Sequence, residues 1–314
     1  MFFRLNKKDV LIFMVVFVLL GTIFALRKSP SPESGEYSII ENSSLPKVYV
    51  AASFPLVLDW AKAVGQDRVS TELFVSPSDG ALNNWLKAAS DSDQGFPYRI
   101  FFSAGGGFDD WAIDLSRRSA KIKVILLNQF ASSTSVTYLN ILDSKKSIKA
   151  DNSYYWLSLE NGHKAVQEIA RVLGQLDVGN KEYYINNAYK YSIQLDTLLR
   201  ESLDTLRHFK NERIVVNKGL FSPLVESLQL HVAGAFDISD GQYDSDKIAT
   251  ALRSALRKNG VKTVIADMNF KNSSLGQSLT DSSFRIVGLD PWGINSDNYV
   301  GFMRDTISQI IRSL

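Results

Sequence analysis

Few residue types in this chain could do chemistry, and their spacing narrows the choice further. The sequence has no cysteine. That removes thiol nucleophiles, thiolate metal sites, iron–sulfur clusters, disulfides and any acceptor for a lipid on Cys. The three histidines, His163, His208 and His231, fall on separate expected elements and lack H-x-x-x-H spacing, so surface or structural roles are expected for them. No G-x-S-x-G elbow is present and no nucleophile–base pair is legible, so the chain is expected not to be an enzyme. Gly105, Gly106 and Gly107 follow an apolar run and precede FDDWAIDL. Without G-K-[ST] or G-x-G-x-x-G they predict a tight strand-to-helix turn, not a phosphate cradle. The acidic stretch 237–246 (DISDGQYDSD) lacks the D-x-D-x-D-G order and terminal Glu of a calcium loop. Together with Asp109, Asp110 and Asp114 it is expected to supply helix-start and solvated acids. Trp85, Trp156 and Trp292 are candidates for lining a pocket for an organic ligand, with packing in the core or between lobes as the alternative.

The elements that would position these residues can be read from pattern. The 314 residues, 45% hydrophobic and 22% charged, suit about two domains and exclude a disordered or collagen-like chain. A mean hydropathy of −0.06 with one long apolar run excludes a multi-span membrane protein. Residues 10–26 form that run, flanked by Arg4, Lys7 and Lys8 before and Arg27 and Lys28 after. Its length is at the short end for a span, and the charge bias places the first residues in the cytoplasm and the body outside. An uncleaved anchor is preferred over a cleaved signal peptide, because basic residues follow at once and no clean A-x-A occurs. Residues 1–28 carry a charge of +4 and the remainder −2, so nothing points to nucleic acid. Residues 29–46, rich in Ser, Pro and Glu, read as a flexible tether. Short apolar runs at 48–51, 68–75, 98–103 and 122–127 alternate with helical patterns, and a second set lies at 213–216, 231–236, 261–266 and 284–289. Both sets predict βαβ units on parallel sheets. A stretch without Pro or Gly at 181–209 predicts a helix of about 40 Å. The expected organisation is an α/β lobe at 47–178, a spine helix at 179–210 and a second α/β lobe at 211–314. Each lobe carries a mainly parallel four-stranded sheet, with a ligand cleft between them.

The segments VYVAASFPLVLDWAKAVGQDRVSTELFVSPSDG, WLSLENGHKAVQEIARVL, LDVGNKEYYINNAYKYSIQLDTLLRESL and VKTVIADMNF…IVGLDPWG occur in order over residues 47–314. In them the chain resembles the extracytoplasmic zinc- and manganese-binding receptors of ABC importers, the ZnuA/TroA-like family. The resemblance implies two four-stranded α/β lobes bridged by a rigid helix, with a metal held by His and carboxylate groups at the interface.

The family's ligand positions carry over poorly. The first His, in P-G-x-x-P-H-x-Y-E, corresponds to Leu82. The second, two before the Trp of D-P-H-x-W, corresponds to Tyr154. The third corresponds to Lys218 in VVNKGLF, or to Asn217 if the register slips by one. The fourth, an Asp, matches Asp290 in GLDPWG. One carboxylate cannot hold zinc tightly, and a protonated Lys218 repels a divalent cation. No cofactor is therefore expected, and zinc or manganese would find one family ligand, Asp290. An ion pair between Lys218 and Asp290 in place of the metal is one expectation; a Lys218 pointing into solvent is the other. The implied function is a membrane-anchored extracytoplasmic solute-binding protein with a largely lost metal site. Its partner would be an ABC permease or another membrane protein. A non-transport adhesion or scaffold protein on the same fold is the alternative.

Overall fold

The computed structural model describes residues 48–78, 80–91, 99–118, 120–139, 141, 153–238 and 240–314. The apolar run at 10–26 and the tether at 29–46 lie outside them. Among the described residues no helix is long and apolar enough to cross a membrane.

Strands β1 (Val48–Ala52), β2 (Val69–Leu73), β3 (Arg99–Ser103) and β4 (Ile122–Leu126) form a sheet in the order β2-β1-β3-β4, and every neighbouring pair is parallel. The second sheet repeats that order. It contains β5 (Arg213–Asn217), β6 (His231–Phe236), β7 (Thr263–Asp267) and β8 (Arg285–Leu289), arranged β6-β5-β7-β8 and again all parallel. Parallel strands are usually covered on both faces and read as near-continuous apolar runs, which is why they were legible. Alternate residues serve different cores. Ile214 and Val216 face one apolar cluster and Val215 the other.

The helices explain where those clusters lie. In the first lobe, α1 (Pro55–Gly65) starts at a proline, α2 (Gly80–Asp91) follows β2, and α3 (Leu115–Arg118) precedes β4. Next come α4 (Leu159–Leu176), capped by the Ser158 side chain, and the spine helix α5 (Lys181–Leu206). Its 26 residues span about 39 Å. The second lobe adds α6 (Ser222–Ser227), α7 (Asp246–Lys258), α8 (Met268–Asn272), α9 (Ser274–Asp281) and the terminal α10 (Tyr299–Ser313). Side chains of Ser245, Asp267, Ser273 and Asn298 accept from backbone amides at the starts of the last four, as short oxygen-bearing caps do.

One apolar cluster takes in the inner faces of both sheets together with α1, α4, α5 and α10. Polar groups reinforce it. Asp59 on α1 accepts from the Tyr191 hydroxyl of α5 at 2.9 Å and from the Tyr299 amide at 3.0 Å. The buried Tyr299 hydroxyl donates to the carbonyls of Trp156 and Ser158 at 2.8 and 3.1 Å. A further tie comes from residues 137–139, which run beside β6. Leu139 N donates to Ala235 O at 2.7 Å, and Ala235 N donates to Thr137 O at 2.9 Å. The segment covers an edge strand that would otherwise offer unpaired amides.

Candidate functional site

The carboxyl ends of β5, β7 and β8 converge on a cleft of about 570 Å³, within the usual size of a small-molecule site. Lys218 lies just past β5, Asp267 ends β7 and Asp290 follows β8, and all three line the cleft with Tyr154, Met268 and Trp292. A smaller cavity of about 40 Å³ adjoins it, sharing Tyr154 and Lys218 and reaching Ser222.

Three of the four positions expected from the family's ligands therefore share one cleft: Tyr154, Lys218 and Asp290. Leu82 does not. It is buried at 1% exposure, packed with Ala51, Phe74, Phe101 and Leu115 in the first lobe's outer core. The reason is amphipathic. Leu82, Trp85 and Leu86 form one apolar stripe of α2, and that stripe turns inward against the sheet. Trp85 goes with it into that core and is absent from the cleft lining. Its ring meets Phe74 edge-on at 5.8 Å and lies 5.2 Å from the Arg99 guanidinium. Trp156 is fully buried beneath the cleft and donates from Nε1 to Pro291 O at 2.8 Å. Trp292 is the one of the three that lines the opening.

Aromatic rings fill the space beside these positions. Phe108 approaches Trp292 at 5.3 Å and Tyr154 at 5.2 Å, and Phe54 approaches Trp156 at 4.8 Å. Such edge-on and tilted contacts lie in the favourable range for ring pairs. Phe108 comes from the loop after the glycine run, where Gly105, Gly106 and Gly107 all have positive φ, a conformation open to glycine and strained for other residues. The turn is pinned by Asp109, which the sequence placed among helix-start and solvated acids and which does stand at the start of a short 3-10 helix, Asp110–Asp114. It is in fact buried, at 2% exposure. Its carboxylate accepts from the Ser53 and Ser103 hydroxyls and from the amides of Ala104 and Gly105. Four donors converging at the ends of β1 and β3 allow this burial.

The carboxylates of the cleft already have local work. Asp290 accepts from the amides of Trp292 at 2.9 Å and Gly293 at 3.1 Å, and Asp267 accepts from the Phe270 amide at 2.8 Å. Among the described residues no ion pair joins Lys218 to Asp290, so the expected replacement pair is not formed. The turn at 290–293 takes that carboxylate instead. Lys218 is half-buried, with φ +52, and its amide donates to Phe236 O at 2.6 Å. Behind it, Asn217 is fully buried with both amide atoms unpartnered, and Ser222 is buried with an unpartnered hydroxyl.

His163 contacts Asp196 at 3.7 Å on the far helices, His208 follows α5 and His231 opens β6. Among the described residues no group of three or more His, Asp or Glu could hold a metal ion. Sequence reasoning missed Asp267, although it occupies the acidic position in VIADMNF that parallels I-F-x-E-x-x-F.

A family profile described as "Zinc-uptake complex component A periplasmic" (ZnuA) matches residues 50–313. The chain is 24% identical over 312 residues to the manganese ABC transporter substrate-binding lipoprotein PsaA of Streptococcus mitis, covering 94% of this chain and 98% of that one. It is also 24% identical to the metal ABC transporter substrate-binding lipoprotein SloC of Streptococcus mutans, covering 98% and 99%. Among solved structures, an FpvC mutant from Pseudomonas aeruginosa superposes with a TM-score of 0.67 at 20% identity, covering 85% of this chain and 98% of that chain. A mutant of the laminin-binding adhesin Lmb from Streptococcus agalactiae gives 0.63 at 19%, covering 84% and 98%.

Proposed function

The chain belongs to the ZnuA family, whose members are substrate-binding proteins of ABC transporters and not enzymes, and from that premise we propose an extracytoplasmic solute receptor that no longer holds a metal. One observation carries the reading. At the cleft, Tyr154, Lys218 and Asp290 gather where the family resemblance puts three ligands, and they offer one carboxylate, one phenol and one cation. Zinc takes about four donors. Asp267 adds one more carboxylate to the cleft, still short of that number, and the Lys218 ammonium opposes a second positive charge at short range. The donor set does not fit the metal.

The receptor works with a membrane permease, presenting both lobes to it. The relatives are named as lipoproteins, whereas this chain has no cysteine to carry a lipid. The apolar run at 10–26 takes over that task, as a span with the body outside.

The test is a full-length preparation in detergent. Metal content well below one zinc or manganese per chain is expected, with a melting temperature unmoved by either ion. Stoichiometric metal, or a rise of several degrees as mass action requires of a tight ligand, overturns the reading. Release of the chain from membranes by an alkaline carbonate wash would overturn the anchor.

A further inference from the structure

The cleft is built for something other than a bare ion, because it combines both signs of charge with apolar surface. Lys218 stands at the end of β5, and Asp267 and Asp290 at the ends of β7 and β8. These strands are neighbours in the sheet order β5-β7-β8, so the cation and the farther carboxylate sit about 10 Å apart at the backbone, two strand spacings. Between and beside them lie Trp292, Met268 and Ile294, the last two exposed at 42% and 64%. A hydrated cation gains nothing from covering such surface, whereas an organic solute does.

The Lys218 side of the cleft holds a second, independent sign of a missing partner. Ser222 lines the adjoining 40 Å³ cavity, and its hydroxyl is buried without a partner. Buried hydroxyls are nearly always satisfied, so this one awaits an acceptor. Lys218 lines the same cavity. An acceptor placed there meets a hydroxyl donor and a cation together, the combination that receives a carboxylate.

We infer that the cleft takes a zwitterionic organic solute of amino-acid size. Its carboxylate is received at Lys218 and Ser222, its ammonium at Asp290 and Asp267, and its side group lies against Trp292. The two cleft carboxylates each keep oxygen lone pairs beyond those that cap the local turns. This inference rests on the reading that the site has lost its metal.

The experiment titrates the full-length chain in detergent with the common amino acids, using butyrate and butylamine as analogues bearing one charge each. At least one amino acid is expected to raise the melting temperature by several degrees, and to bind about tenfold or more tightly than either analogue. Lys218→Gln should weaken the amino acid about tenfold while leaving butylamine within about twofold. Ser222→Ala, a smaller change, should weaken the amino acid in the same selective way if the lysine variant fails to fold. Equal binding of the single-charge analogues overturns the inference. So does a screen in which no amino acid moves the melting temperature while zinc and manganese also leave it unmoved; the metal-loss reading then stands. Stoichiometric zinc or manganese overturns the metal-loss reading itself.

Discussion

Asp109 shows how one side chain can fix a loop that faces the cleft. Its carboxylate is buried with four donors around it, and it holds the glycine turn that delivers Phe108 to Trp292. Removing it strands two hydroxyls and two amides, each costing on the order of 1 kcal/mol or more when unsatisfied. Asp109→Ala should lower unfolding stability by about 3 kcal/mol in urea titration, and Asp109→Asn by less, since an amide oxygen still accepts. A change within error would mean the turn stands without its anchor. Little of this was legible. Asp109 lies next to Asp110 in sequence, and its partner Ser53 is 56 residues away, so burial depends on strands meeting in space. Leu82 and Trp85 were more accessible to reasoning. Their spacing with Leu86 is a helical apolar face, which points them at the core regardless of any motif they align with.

At the scale of elements, the sequence carried the sheets and the spine because parallel strands need apolar residues on both faces and the helix needs no glycine or proline. It did not carry the segment at 137–139 that pairs with β6, since such a segment has no period of its own and exists only through its partner. Gly234 makes that pairing possible. Its φ is +155, and a Cβ there would come within 3.0 Å of Thr137 O and 2.9 Å of the Leu139 side chain. Gly234→Val should push the segment off the edge at a cost of about 1–3 kcal/mol. Hydrogen exchange should report it, with the amides of Leu139 and Ala235 losing protection. Unchanged protection at both would refute the account.

Over the whole molecule, the shared core is rich in tyrosines that must stay neutral. Burial raises the pKa of Tyr155, Tyr184, Tyr191 and Tyr299, with the Asp109 charge adding to Tyr155, a hydrogen bond to Asp177 adding to Tyr184 and the Asp59 charge adding to Tyr191. The unfolded chain ionises them near pH 10. Stability is therefore intact below about pH 10 and drains as pH rises above it, by about 1.4 kcal/mol per pH unit for each of the wholly buried Tyr155 and Tyr299. Tyrosinate absorbance and loss of helical circular dichroism should rise together in one steep alkaline transition. Absorbance that climbs first, with the fold intact, would show these hydroxyls to be accessible. The position of Tyr299 in the chain has a further consequence. It seats against Trp60 at 4.9 Å between ring centroids, and its amide reaches Asp59, 240 residues earlier. Domains made during synthesis usually fold from the amino end first. Here the amino-terminal half lacks part of its own interior until the last helix has been made. The first lobe therefore completes its core only after Tyr299 has been made and has reached Asp59 and Trp60.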